Sequence, residues 1–73
     1  MESGRAADAV PLFERALKRE PQFHEGRLNL GIALQESGQR ARAAAVYREL
    51  LATAPPSAKR ERDAAAQLLR ALR

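Results

Sequence analysis

The feature that most constrains this chain is a repetition of its own sequence. Laid on itself at an offset of 34 residues, the stretch 2–23 (ESGRAADAVPLFERALKREPQF) faces 36–57 (ESGQRARAAAVYRELLATAPPS). Seven of the 22 pairs are identical: Glu2/Glu36, Ser3/Ser37, Gly4/Gly38, Ala7/Ala41, Ala9/Ala43, Leu17/Leu51 and Pro21/Pro55. Phe13/Tyr47 and Leu12/Val46 are conservative exchanges. Abundant alanine raises chance identity, but it does not align a glycine, an aromatic residue and a proline. A period of this length means one small unit built more than once, each copy burying its apolar face against the next.

Punctuation divides the chain at Gly4, Pro21, Gly38 and Pro55-Pro56 into alanine- and leucine-rich segments of helical length. The segment at about 22–37 carries Phe23, Leu30, Ala33 and Leu34, with a second stripe of Leu28 and Ile32. The segment at about 40–54 places Ala43, Val46, Tyr47, Leu50, Leu51 and Ala54 at three- and four-residue steps. The last, at about 58–72, carries Ala65, Leu68, Leu69 and Leu72 behind Ser57, a residue suited to an N-cap. In the first, at about 5–19, Pro11 sets the start. An interior proline costs about 3 kcal/mol whereas one in the first turn is tolerated. Either Asp8 caps a helix beginning at Ala9 or a longer helix kinks before Pro11; regular helix from about residue 8, with a frayed turn before it, is the expectation. No stretch alternates with a period of two, so the fold class is all-α.

The turn and seam residues at this period resemble the tetratricopeptide repeat, whose pattern is W-x2-L-G-x2-Y, then A-x3-F, then P. Residues 24–57 resemble one complete unit. Leu30-Gly31 matches the L-G pair, Leu34 stands at the Tyr position, and Ala43, Tyr47 and Pro55 fall at the A-x3-F and P positions. Arg27 replaces the Trp, and Leu50 replaces a small residue that Ala16 keeps in the preceding copy. Gly31 and Ala43 suit a close helix crossing, Gly38 suits a left-handed helix end, and Pro55 stops the third helix. The resemblance implies an antiparallel stack of about four helices, a short right-handed α-solenoid forming one domain over residues 1–73. In it, 1–23 is the second helix of a partial repeat, 24–57 a complete repeat, and 58–73 a capping helix or degenerate half repeat.

Composition narrows the function. The chain has 73 residues, and 16 of its 33 apolar residues are alanine, which leaves a thin core and no deep pocket. Cysteine is absent, which removes disulfides, thiolate nucleophiles and cysteine-zinc sites. His24, the single histidine, is expected on the surface near the start of the second helix. Ser3, Ser37 and Ser57 fall at turns or caps. Glu61 and Asp63 do not share a helical face, and the four glycines form no phosphate loop. The reading is a non-enzyme with no catalytic residue, cofactor or metal. No run approaches a membrane span, and Met1-Glu2-Ser3 does not open a signal peptide, so the cytoplasm is the default location and no membrane partner is expected.

The net charge of +4 is unevenly placed. Residues 1–36 carry five Lys/Arg against six Asp/Glu, giving −1, and residues 37–73 carry eight against three, giving +5. The basic excess lies in Arg40, Arg42, Lys59, Arg60, Arg62, Arg70 and Arg73. Nucleic acid is the weakest partner: Arg40, Arg42, Arg48 and Glu49 form no base-reading set, and the few aromatics are needed for the core. Lys59, Arg60 and Arg62 offer phosphate contacts without sequence selectivity.

A protein or peptide partner is the leading expectation. The family resemblance implies a groove lined by the first helix of each repeat. That assigns Glu25, Leu28, Asn29, Ile32 and Gln35 from the second helix and Lys59, Arg62, Ala66 and Leu69 from the fourth. Leu28 and Ile32 would anchor apolar groups, and Asn29, Lys59 and Arg62 would supply polar contacts to an acidic segment. Asn29 and Arg62 match two positions of the family's two-carboxylate clamp, but Ala66 occupies another basic position, so a complete clamp is not expected. The alternative is a homo-oligomer formed through the uncovered face of the first helix or the Leu28/Ile32 face.

Overall fold

The computed structural model describes residues 2–72, with side chains from Ala6 onward. It contains four helices: α1 (Glu2–Arg19), α2 (His24–Glu36), α3 (Arg40–Thr53) and α4 (Lys59–Ala71). Each packs on the next, and α2 also touches α4. The result is a helical repeat stack. Met1 and Arg73 lie outside the described residues, and with Arg73 one member of the basic group.

Helix α1 overturns the expected start at residue 8. It begins at Glu2, includes Gly4 and Asp8, and runs through Pro11. The proline ring removes one backbone donor. The turns before it are held by tertiary burial, since Ala6 and Val10 are both buried. Packing of the apolar stripe against α2 outweighs the local cost of the proline.

The link from α2 to α3 follows the expectation. Gly38 has a φ of 89°, in the left-handed region open to glycine. Its N–H donates to Gln35 O and the Gln39 N–H to Leu34 O, the paired bonds that close a helix C-terminus. The Ser37 hydroxyl donates to Leu34 O at 3.0 Å.

Tyr47, Leu34 and Leu50 are fully buried and form the centre of the core. The Tyr47 ring lies against Gly31, where a Cβ would overlap it, so the glycine is needed to admit the ring. Its hydroxyl donates to Gln35 Oε1 at 2.8 Å, giving the enclosed polar group an acceptor. Each such side chain contributes roughly 1.5–3 kcal/mol by burial.

The α3–α4 connection carries a one-residue slip. Arg19 and Thr53, the ends of α1 and α3, are 34 residues apart, whereas His24/Lys59 and Glu36/Ala71, the bounds of α2 and α4, are 35 apart. The residues that open α2 and α4 correspond in the same way: Phe23 accepts from the Arg27 N–H, and Ala58 accepts from the Arg62 N–H. Ala54 is extended (ψ 138°), as a residue before proline must be, and Pro55-Pro56 lengthens the loop. Ser57 is exposed and is not the cap. Ala58 holds that place with no side-chain bond. Leu69 is therefore the counterpart of Leu34, and Arg62 is the counterpart of Arg27.

Candidate partner-binding surfaces

The slip decides where the expected site residues lie. One residue of helix is about 100° of rotation, so positions carried onto α4 at an offset of 34 turn toward α3. Arg62 shows this directly. Its Nη1 donates to Leu51 O and Ala54 O, both at 2.9 Å, satisfying carbonyls left open at the end of α3. Lys59 pairs with Asp63 at 3.0 Å on its own helix, where both are exposed.

The nine expected residues do not form one groove. Asn29 and Ile32 line a groove between α1 and α2, with Ala6, Ala9, Phe13, Ala33 and Glu36. Ala66 and Leu69 line a second groove between α3 and α4, with Arg48, Leu51 and Arg70. Leu28 packs against the core. Gln35 holds the Tyr47 hydroxyl. Glu25 is exposed on the first turn of α2.

The two grooves differ in charge. The α1–α2 groove has a floor of half-buried Ala9, Phe13 and Ile32 and the carboxylate of Glu36 at its rim. Leu12, one turn from Ala9 and 62% exposed, extends the apolar side of α1 outward. The α3–α4 groove has a floor of half-buried Leu51, Ala66 and Leu69 set between the exposed Arg48 and Arg70. Sequence reasoning missed Phe13, Arg48 and Leu51 because it took groove residues only from α2 and α4, and it missed Arg70 because a 34-residue step from Gln35 lands on Leu69. For Phe13 the signal was present, since it belongs to the apolar stripe of α1, which has a helix on one side only.

Among the described residues no group of three His, Cys, Asp or Glu side chains could hold a metal, and no helix is long and apolar enough to cross a membrane. His24 is half-buried rather than on the open surface, and its Nδ1 is enclosed without a hydrogen-bond partner. Tyr47 also carries an enclosed polar group. Burial, and secondarily the Glu36 carboxylate, raise its pKa above the ordinary tyrosine value, so the phenol stays protonated as the donor to Gln35.

A family model described as tetratricopeptide repeat matches residues 1–58. No curated protein and no solved structure matches the chain significantly.

Proposed function

The chain belongs to the tetratricopeptide repeat family, and on that premise we propose that it is a non-catalytic interaction module. Its grooves receive apolar helical segments of a partner protein. The observation that carries this reading is the pair of apolar floors, Phe13/Ile32 and Leu51/Leu69, each half-exposed and each rimmed by polar or charged groups. Such surfaces are what an amphipathic helix covers when it lays its apolar face into a groove.

The preference for acidic partners belongs to the α3–α4 groove. Arg62 and Lys59 are engaged within the fold, whereas Arg48 and Arg70 flank the Leu51/Leu69 floor. Two guanidinium groups beside an apolar strip suit a helix carrying carboxylates next to its leucines. Because the groove is built from packed helices, binding does not have to order the receptor.

A residue-resolved NMR titration of the labelled chain with acidic amphipathic peptides, at physiological salt, tests this. Saturating shifts are expected at Leu51, Ala66 and Leu69, weakened by Arg70→Glu. Shifts scattered over the surface, or none at these residues, would reject the reading.

A further inference from the structure

We propose that the partner of both grooves is a second copy of this chain, stacked head to tail. In this arrangement α1 of one copy lies on the α3–α4 groove of another, and α4 of that other copy fills the first one's α1–α2 groove. The proposal rests on the reading that the grooves take helical segments, and it names the segment.

The molecule already contains the filled counterpart of the α3–α4 groove. Arg48 and Leu51 correspond to Glu14 and Leu17 at 34 residues, and Ala66, Leu69 and Arg70 correspond to Gly31, Leu34 and Gln35 at 35. That counterpart surface is covered by α3. Arg42 Nη2 pairs with Glu14 Oε2 at 2.7 Å, the Tyr47 ring lies on Gly31, and the Tyr47 hydroxyl meets Gln35. The helix that sits on such a surface is therefore of the α3 kind. The repeat copy of α3 is α1, whose Ala9 and Phe13 correspond to Ala43 and Tyr47.

Charge and polarity change together on both sides of this contact. Glu14 is replaced by Arg48 in the open groove, and Arg42 is replaced by Asp8 on α1. The ion pair that seats α3 thus returns with its signs exchanged, Asp8 of one copy facing Arg48 of the next. Both residues are exposed, and neither makes an ion pair among the described residues. The hydrogen bond changes in the same way. Gln35, an acceptor, becomes Arg70, which only donates, and Tyr47 becomes Phe13, which has no hydroxyl needing an acceptor. Ala66 adds a methyl where Gly31 has none, so the Phe13 ring must seat farther from α4 than the Tyr47 ring does from α2.

The second groove gives the same answer independently. The counterparts of Ala9, Phe13 and Ala33 are Ala43, Tyr47 and Leu68, a region against which α2 packs, leaving Ala43 and Tyr47 fully buried. The occupant of the α1–α2 groove is therefore of the α2 kind, and its counterpart is α4. A single docking fills both grooves and brings residues 1–36 of one copy, net −1, against residues 37–73 of another, net +5. A symmetric tail-to-tail pairing would instead set Arg48 and Arg70 against themselves. Head-to-tail contacts of this kind do not close on two copies, so they give open series or rings.

Sedimentation of the intact chain over a wide concentration range tests the proposal, with circular dichroism confirming that each variant folds. The wild-type mass is expected to rise with concentration past that of a dimer. Ala9→Arg, which plugs the head, and Ala66→Arg, which plugs the tail, should each be monomeric alone. Mixed, they should form a one-to-one dimer and nothing larger. Asp8→Arg and Arg48→Asp should each weaken assembly, and the double exchange should restore it. A wild-type chain that stays monomeric, or a mixture of the two plugged variants that stays monomeric, overturns the proposal. If that monomer still shows saturating shifts at Leu51, Ala66 and Leu69 with acidic peptides, only the identity of the partner was wrong. If it shows none, the interaction reading fails as well.

Discussion

Tyr47 and Phe13 hold the same place in two copies of one unit, yet they live in different surroundings. Tyr47 is sealed by α2 on one side and the rest of the core on the other, with none of its surface exposed. Phe13 packs on the core with one face and lines an open groove with the other. The difference shows that in a stack of repeats the fate of a residue depends on whether its neighbouring helix is present. It also accounts for the chemistry: the enclosed ring carries a hydroxyl with a dedicated acceptor, and the half-open ring carries none.

The comparison is broken most sharply by truncation. Tyr47→Ala is expected to cost about 3–5 kcal/mol, because a fully buried ring leaves a cavity. Phe13→Ala should cost roughly 1 kcal/mol, in keeping with partial burial. Urea denaturation of dilute protein measures both, and equal losses would refute the contrast.

Two glycines sharpen it next. A Cβ at Gly31 would overlap the buried Tyr47 ring, and one at Gly26 would overlap the Phe23 ring, which is 38% exposed. Gly31→Ala should destabilise by about 1–3 kcal/mol through overpacking. Gly26→Ala should change stability by less than about 1 kcal/mol, because Phe23 can swing outward while the helix gains propensity. Thermal melts of the two variants decide this.

The hydroxyl gives a smaller effect with a pH signature. Tyr47→Phe should cost about 1 kcal/mol for the lost hydrogen bond, whereas Phe13→Tyr should be nearly neutral, its hydroxyl reaching water. Because the pKa of Tyr47 is raised in the fold, the native state keeps this proton more tightly than the unfolded chain. That contribution is complete below pH about 10 and is lost as pH rises through the raised value. The part of the alkaline decline due to this group should vanish in Tyr47→Phe, as denaturant midpoints between pH 9 and 11 would reveal. Smallest of all, Leu12→Gln on the exposed side of α1 should alter stability by no more than about 0.5 kcal/mol.

Much of the fold was legible because its signals are local. Gly38 and Pro55 mark chain reversals through their own backbone limits, and Gly31, Leu34, Ala43 and Tyr47 mark the seam through size and spacing. The start of α1 was misread because the cost of Pro11 is visible in the sequence, while the burial of Ala6 and Val10 that offsets it depends on α2. The register of α4 was misread because a fixed 34-residue step passes over the longer loop at Pro55-Pro56. That error carried into the site. Arg62 was taken as a contact for ligand, while the fold uses it to satisfy the end of α3. Asn29 and Ile32, expected on a groove shared with α4, line instead a groove completed by α1.

The ladder of helices has a consequence for how the molecule melts. The backbone of α1 packs on α2 alone, and the only contact between helices not adjacent in the chain joins α2 and α4 among the described residues. In such a quasi-linear array, opening begins at the outer rungs and the inner pair lets go last. Amide exchange should therefore be graded, fastest in α1 and α4 and slowest where α2 and α3 enclose Tyr47. A chain whose outer rungs find neighbours in other copies loses that fraying. Its melting temperature then climbs with protein concentration, and heat becomes a gauge of how many ends remain.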